Sequence, residues 1–252
     1  MTQRPLALIT GGSTGIGRSL SKIAASKGYD LLVVADEPVP PGLAGMGTIN
    51  TLTADLATDE GRLRTIAALE GRVPDLCLAN AGRGLGRAFV DQPEGDIRML
   101  LDTNVVGTTM LVHKIAQGMI GRGSGRILMT GSIVGAVPGP FQAVYNASKA
   151  YVNLLAGGLG NELADDGITV TCLMPGATET PLFRRAGLTD TWLGRAPKSD
   201  PDTVARAAWR AMMAGHRTVV PGWHNKVLFC AAMVLPTIAL AALHRAAARP
   251  RP

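Results

Sequence analysis

The 252-residue sequence predicts an α/β fold in which one doubly wound parallel sheet lies between two helical layers, in a single domain. Short apolar runs alternate with longer amphipathic segments along the chain. The apolar runs are continuous rather than alternating, which is typical of strands buried on both faces. With 46% hydrophobic and 17% charged residues, the chain is apolar enough to form one core of this size.

The elements follow in a regular order. Strands are predicted near residues 5–10, 30–35, 48–54, 75–79, 125–131, 168–174 and 217–221. Helices are predicted near 15–27, 59–70, 94–121, 142–165 and 202–214. Asp200-Pro201-Asp202 marks the start of the last helix, because Pro fits the first helical turn. Three prolines in Asp36–Gly42 exclude a regular helix between the second and third strands, so a loop is predicted there.

The turn after the first strand is rich in glycine and reads Thr10-Gly11-Gly12-Ser13-Thr14-Gly15-Ile16-Gly17. It follows the apolar run Leu6–Ile9 and precedes an amphipathic segment. Glycines there allow the backbone to approach a pyrophosphate, and a helix N-terminus offers free N–H groups and a positive dipole end. A glycine-rich turn alone is often only a tight turn, but its position at the start of an α/β pattern favours a dinucleotide site.

Tyr145 and Lys149 lie four residues apart in a predicted helix, so their side chains share one face. An ammonium near a phenol favours the phenolate, which predicts a tyrosine pKa below its usual value of about 10. Such a tyrosine suits general acid–base catalysis. The pair also occurs by chance on solvated helices, and the rest of the chain decides between the two interpretations.

Further motifs stand at the ends of later strands, namely Asp55-Leu56, Asn80-Ala81-Gly82, Ser132, Pro175-Gly176 and Thr178, and Asn104 lies within the helix predicted over 94–121. With the glycine turn and the Tyr145/Lys149 pair, they make the chain resemble the short-chain dehydrogenase/reductase family from about Leu6 to Pro221. The resemblance implies a Rossmann-type dinucleotide-binding and catalytic domain over residues 1–224. Residues 225–252 would then form an apolar C-terminal segment with a basic tail.

The resemblance implies hydride transfer between a nicotinamide and a secondary alcohol or ketone. Tyr145 would be the general acid or base, and Ser132 would donate a hydrogen bond to the substrate oxygen. Lys149 would tune Tyr145 and hold the nicotinamide ribose, and Asn104 would support a water chain from Lys149 to solvent.

The cofactor is predicted to be NAD rather than NADP. The residues implied to bind it are Gly11, Ser13, Thr14, Gly15, Ile16, Gly17, Asp36, Asp55, Leu56, Asn80, Ala81, Gly82, Tyr145, Lys149, Pro175, Gly176 and Thr178. Asp36 ends the second strand, where a carboxylate accepts hydrogen bonds from the adenosine ribose and repels a 2′-phosphate. Family members that prefer NADP carry basic residues there or at the position of Thr14. Asp55 would flank the adenine.

The substrate is expected to be an apolar or amphiphilic alcohol or ketone. In the family, the segment that covers it follows Pro175-Gly176, here Ala177 to about Ser199. That segment carries Leu182, Phe183, Leu188, Trp192 and Leu193. Residues between Ser132 and Tyr145 are expected to line the same pocket, namely Ile133, Val134, Val137 and Phe141.

Other classes of function are weaker. A net charge of +6 does not indicate nucleic-acid binding, because the basic residues are scattered and aromatics make up only 4%. Cysteine and histidine spacing predicts no metal site, and Cys77 and Cys172 fall in apolar strands. The first strand starts close to Met1, so we expect no signal peptide and a cytoplasmic location. Two alternatives stay open: a non-catalytic NAD(P)-binding redox sensor or scaffold, and a sugar-nucleotide epimerase.

Two surfaces predict partners. The helix 142–165 is rich in small residues that permit close packing, and family members pair through this element, so a homodimer or homotetramer is expected; these residues are Ala147, Ala150, Ala156, Gly157, Gly158 and Gly160. Residues 227–243 carry no charge. They either pack on the body or across a subunit interface, or attach residues 226–252 to a membrane surface through Arg245, Arg249 and Arg251.

Overall fold

The computed structural model of the chain describes residues 3–249 and confirms the predicted α/β fold. Seven parallel strands form one sheet in the order β3-β2-β1-β4-β5-β6-β7. The strands are β1 Leu6–Thr10, β2 Asp30–Ala35, β3 Ile49–Thr53, β4 Leu76–Ala79, β5 Gly125–Thr130, β6 Ile168–Leu173 and β7 Thr218–Val219. The strand order reverses between β1 and β4, which is the crevice where open α/β sheets bind ligands.

Ten α-helices are present in the described residues. They are α1 Gly15–Ser26, α2 Asp59–Ala67, α3 Glu94–Leu101, α4 Thr108–Arg122, α5 Ala143–Glu162, α6 Leu182–Arg185, α7 Trp192–Arg195, α8 Pro201–Met213, α9 Trp223–Val234 and α10 Thr237–Ala248. The helix predicted over 94–121 is confirmed in extent, because residues 94–122 are helical without a break. A π-helical segment, Asp102–Gly107, separates α3 from α4, and a wider turn of this kind often marks a functional site.

The sheet is buried on both faces, and successive residues of β1 enter opposite cores. Leu6 and Leu8 belong to the core beneath α4 and α5. Ala7 and Ile9 belong to the core beneath α1 and α8. Burying each large aliphatic side chain contributes roughly 1.5–3 kcal/mol, so the central strands are firmly placed. The residues that follow them are therefore held on a rigid edge.

Two local predictions are confirmed. Residues 36–48 form a loop without a helix, and Arg18 holds it by donating to the carbonyl oxygens of Pro40 (2.9 Å) and Pro41 (2.6 Å). The carboxylate of Asp200 accepts a hydrogen bond from the Thr203 amide at 2.9 Å, which caps α8.

The small residues of α5 divide between its two faces. Ala156 and Gly160 are buried against the sheet. Gly157 and Gly158 face outward beside the exposed Leu154. This outer face is open, and pairing through it stays a prediction.

Candidate active-site cleft

A cleft of about 310 Å³ lies along the carboxyl edge of the sheet. Most of the predicted site residues line it: Gly11, Ser13, Thr14, Gly15, Ile16, Asp36, Asp55, Leu56, Asn80, Ala81, Gly82, Ser132, Tyr145, Lys149, Pro175, Gly176 and Thr178. Gly17 and Asn104 do not line it. Their contacts place both of them beneath the cleft wall.

The glycine turn leaves room for close backbone approach. Gly11 and Gly15 adopt positive φ angles of 66° and 54°, which favour glycine. A Cβ on Gly11 would lie 2.9 Å from the Cα of Ala81, and one on Gly17 would collide with the Gly11 carbonyl. Thr14 caps α1 without a side-chain hydrogen bond, so the first amides of the helix stay available to an anion. These features fit a dinucleotide pyrophosphate.

One end of the cleft contains the predicted catalytic residues Ser132, Tyr145 and Lys149, all buried, and is called the catalytic end after that prediction. The Lys149 Nζ lies 6.0 Å from the centre of the Tyr145 ring and donates to the Thr130 carbonyl oxygen at 2.8 Å. The Ser132 Oγ donates to the Pro175 carbonyl oxygen at 3.2 Å and accepts from the Val134 amide at 3.3 Å. The start of α5 and the ends of β5 and β6 therefore converge here.

The ionisation of the pair differs from the sequence prediction. Burial raises the pKa of Tyr145 to about 12, and burial lowers the pKa of Lys149 to about 8. The expectation of a lowered tyrosine pKa is therefore wrong for the protein alone. The free-energy cost of dehydrating the Tyr145 phenolate exceeds the stabilisation that the Lys149 ammonium could give it. At neutral pH the Tyr145 hydroxyl holds its proton and can donate it.

Asn104 is supported by the π-helical segment. Its Oδ1 accepts from the Arg83 amide at 2.8 Å, and its Nδ2 donates to the Arg83 carbonyl at 2.9 Å and to the Ser148 Oγ at 3.0 Å. A Cβ on Gly82 would lie 3.3 Å from both the Asn104 Oδ1 and the Lys149 Nζ. Asn104 thus fixes the chain that follows Gly82, and its expected support of a water chain stays a prediction.

The opposite end of the cleft contains an ion cluster that sequence reasoning missed. The Arg83 guanidinium lies 2.8 Å from the Asp36 carboxylate and 3.7 Å from that of Asp55, and its Nε donates to the Thr103 Oγ1 at 3.3 Å. Asp36 and Asp55 follow β2 and β3, whereas Arg83 follows β4. An arginine after Asn80-Ala81-Gly82 carries no sequence signal for this contact, because strand order creates it.

A second ion pair crosses the same end. Arg185 in α6 contacts the two carboxylate oxygens of Glu37 at 2.8 and 2.9 Å, and the Ser13 Oγ donates to Glu37 at 3.1 Å. The hydrogen bond from Arg185 holds the pKa of Glu37 below its usual range. The covering segment is thereby tied to both the glycine turn and the loop after β2.

The family model described as short chain dehydrogenase matches residues 5–190. The chain belongs to this family of short-chain dehydrogenases/reductases. An uncharacterized short-chain type dehydrogenase/reductase from Sinorhizobium fredii is 35% identical over 188 residues, which are 74% of this chain and 75% of that protein.

Solved structures of family members superpose over most of the chain. A short-chain dehydrogenase from Sphingobium yanoikuyae in complex with NADPH has a TM-score of 0.82 at 30% identity, covering 90% of this chain and 91% of that one. A 3-ketoacyl-(acyl-carrier-protein) reductase from Brucella melitensis complexed with NADH has a TM-score of 0.74 at 25% identity, covering 86% and 95%. The family is thus one of nicotinamide-dependent oxidoreductases, and both cofactors occur within it.

In this short-chain dehydrogenase/reductase, apolar side chains line the part of the cleft where the substrate is predicted to bind, which is called the substrate end. Leu182, Phe183 and Leu193 of the covering segment border the cleft, and so does Val134, one of the residues predicted to line it. That prediction is wrong for Ile133, Val137 and Phe141, which lie outside the lining, as do Leu188 and Trp192 of the covering segment. Trp192 is exposed, whereas Leu188 is buried inside the covering segment. Sequence pattern could not separate residues facing the cleft from those packed behind it.

One buried polar group borders this apolar region. Gln142 lines the cleft, and its Oε1 has no hydrogen-bond partner in the described part of the chain. A buried amide without a partner costs about 1–3 kcal/mol, so a ligand that supplies the missing bond is favoured. Among residues 3–249, the structure contains no group of three or more His, Cys, Asp or Glu side chains that could hold a metal ion.

Proposed function

We propose that this short-chain dehydrogenase/reductase interconverts an apolar secondary alcohol and its ketone, with NAD as the preferred cofactor. The observation that carries the proposal is the shared cleft. Ser132, Tyr145 and Lys149 are buried at one end, and the glycine turn and Asp36 border the other. One extended ligand with two chemically different ends fits this distribution of groups.

The roles follow from position and ionisation. A bound nicotinamide supplies or accepts a hydride at the substrate carbon. Tyr145 donates a proton to the carbonyl oxygen in the reducing direction, and its raised pKa keeps that proton in place at neutral pH. Ser132 turns its hydroxyl from the Pro175 carbonyl to the substrate oxygen. Lys149, positioned on the next turn of α5, holds the nicotinamide ribose.

The preference for NAD rests on Asp36. Its carboxylate follows β2 at the cleft, where it can accept hydrogen bonds from ribose hydroxyls and repel a 2′-phosphate. The Arg83 guanidinium beside it offsets part of that repulsion. We therefore expect NAD to be preferred by a modest factor.

The substrate is proposed to carry a second polar atom near its reacting carbon. The lining by Leu182, Phe183 and Leu193 favours an apolar body. The unpartnered Gln142 amide favours one polar atom on the substrate, which it would bind by a hydrogen bond. An apolar ketone with a neighbouring hydroxyl group meets both requirements, because its O–H can donate to the Gln142 Oε1.

A substrate panel tests the proposal. Apolar ketones with and without a neighbouring hydroxyl group are incubated with NADH or NADPH, and the loss of nicotinamide absorbance is followed. We expect turnover that is faster with NADH and with hydroxyl-bearing ketones. Cofactor binding without turnover of any panel member would favour the sensor or scaffold alternative. Conversion of a nucleotide sugar without net change in the nicotinamide would favour the epimerase.

A further inference from the structure

The C-terminal helices α9 and α10 present an apolar surface that the rest of the chain leaves uncovered. The structure has twenty large hydrophobic residues exposed among those described, and eight of them lie in residues 223–243. They are Trp223, Val227, Leu228, Met233, Val234, Leu235, Ile238 and Leu243. Such concentration in one short segment marks an interaction surface rather than the scattered apolar residues of an ordinary exterior.

Each helix is fixed to the body by one narrow stripe. On α9 the inward residues are Asn225 and Phe229, and Asn225 packs against Gly176 and donates to the Pro221 carbonyl oxygen at 2.7 Å. On α10, His244 lies 3.2 Å from the Pro140 carbonyl oxygen and 3.4 Å from the Asn146 side-chain amide. The two helices are therefore docked on one side only, and their outer sides stay apolar.

The charge of this region is of one sign. The sequence has no Asp or Glu after Asp202, whereas seven Arg and Lys residues follow it. They are Arg206, Arg210, Arg217, Lys226, Arg245, Arg249 and Arg251, the last of which lies outside the described residues. Residues 1–202 contain the other 18 basic residues and all 19 acidic ones, so the whole net positive charge of +6 comes from the C-terminal 50 residues.

We propose that α9 and α10 form a membrane-surface anchor that inserts its exposed apolar side chains into an anionic lipid interface. Lys226, Arg245 and Arg249 flank the apolar surface and would meet the lipid phosphates. A second copy that pairs through the same surface is a poorer occupant, because residues 203–252 of each copy bring positive charges and no carboxylate to pair them. Anionic lipid complements both the apolar area and the charge.

The helices lie on the membrane rather than cross it. None of the helices within residues 3–249 has both the length and the apolarity to span a bilayer. Twelve residues each give α9 and α10 a length of about 18 Å, short of the roughly 30 Å hydrocarbon core. Pro236 precedes α10 and separates the two helices.

The anchor borders the substrate end of the cleft. Helix α9 packs against the 3₁₀ turn Ile133–Ala136, and α10 packs against α7. Each of those elements supplies a lining residue, Val134 and Leu193. If the proposed function holds, an apolar substrate would reach the cleft from the lipid; the surface itself does not depend on that function.

Flotation of the full-length protein with lipid vesicles tests the anchor. Vesicles of phosphatidylcholine alone are compared with vesicles that also contain phosphatidylglycerol. We expect the protein to float with the anionic vesicles and at least tenfold less with the neutral ones. The double variant Val234→Ser, Ile238→Ser changes side chains that are 81% and 85% exposed, so the fold should persist while flotation falls at least tenfold.

Matched controls separate the outcomes. Leu63→Ser, Val90→Ser alters equally exposed residues elsewhere and should float like the wild type. Tyr145→Phe should also float normally, whatever its activity, so failure of the proposed reaction leaves this result intact. The proposal is overturned if the wild type stays in solution with both vesicles. It is also overturned if light scattering shows that Val234→Ser, Ile238→Ser instead splits a complex of two copies.

Discussion

The two ends of the cleft are controlled by different physical effects. At the catalytic end, Tyr145 and Lys149 are buried, and burial moves both of their pKa values. At the opposite end, called the adenosine end because the proposed NAD would place its adenosine there, Asp36, Arg83 and Asp55 are partly exposed and held by ion pairs. Loss of hydration shifts the pKa values of the buried groups. The partly exposed side chains are positioned by ion-pair partners, which a bound ligand can replace. Substitutions should therefore act on rate at one end and on cofactor choice at the other.

The largest effect is expected for Tyr145→Phe. Loss of the proton donor should lower kcat by about 10²–10⁴-fold, while NADH affinity changes little, because the ring remains. Stopped-assay turnover and NADH fluorescence titration measure the two quantities. Tyr151→Phe, on the same helix but hydrogen-bonded to Thr109 at the surface, should retain full rate. Substantial turnover in Tyr145→Phe would remove this residue from the mechanism.

Lys149→Met should weaken both cofactor binding and rate, and it should also stabilise the fold. Burial lowers the pKa of Lys149 from 10.5 to about 8, so the folded state disfavours its charge. That penalty is fully present below pH 8 and disappears as pH rises towards 10.5. We expect the variant to gain about 1–3 kcal/mol in free energy of unfolding at pH 7.

Urea unfolding at several pH values checks this second prediction. The gain of Lys149→Met over the wild type should shrink between pH 8 and 10.5. Lys114→Met, an exposed residue of α4, should show no such pH dependence. A gain that stays constant across this range would mean that burial of the ammonium is not its cause.

At the adenosine end, two substitutions should act in opposite directions. Asp36→Ala removes the repulsion of a 2′-phosphate and should reduce the NADH over NADPH affinity ratio about tenfold. Arg83→Met removes the offsetting positive charge, keeps the backbone contacts to Asn104, and should raise the ratio about threefold. Fluorescence titration with both cofactors measures the ratio. A change of this affinity ratio in the same direction in both variants would contradict the proposed role of the ion pair.

The smallest effect on rate is expected on the outer face of α5, whose inner face bears the catalytic pair. Leu154→Arg should convert a homodimer or homotetramer to a smaller species and change kcat less than threefold. Light scattering checks the size, with Leu63→Arg on α2 as an equally exposed control. A wild type that is monomeric at micromolar concentration would refute pairing through this face.

The sequence by itself determined the sheet, the glycine turn and the grouping of the site. Continuous apolar strands are stable only in a sheet that helices cover on both faces. Because the strands of such a sheet are parallel, their carboxyl ends lie at one edge. The residues after those strands, such as Asn80 and Ser132, lie along that shared edge as the sequence predicts. The proline-rich loop after β2 followed equally directly, since proline restricts the backbone locally.

Only the tertiary structure decided the features that depend on contacts between residues distant in sequence. The ion pair of Arg83 with Asp36 joins residues 47 positions apart, and no local pattern encodes it. The pKa of Tyr145 depends on how completely the covering segments exclude water, so the nearby Lys149 alone gave the wrong direction. The sequence likewise did not predict which face of α9 and α10 is exposed, because these helices are apolar on every side and either face could pack against the rest of the protein.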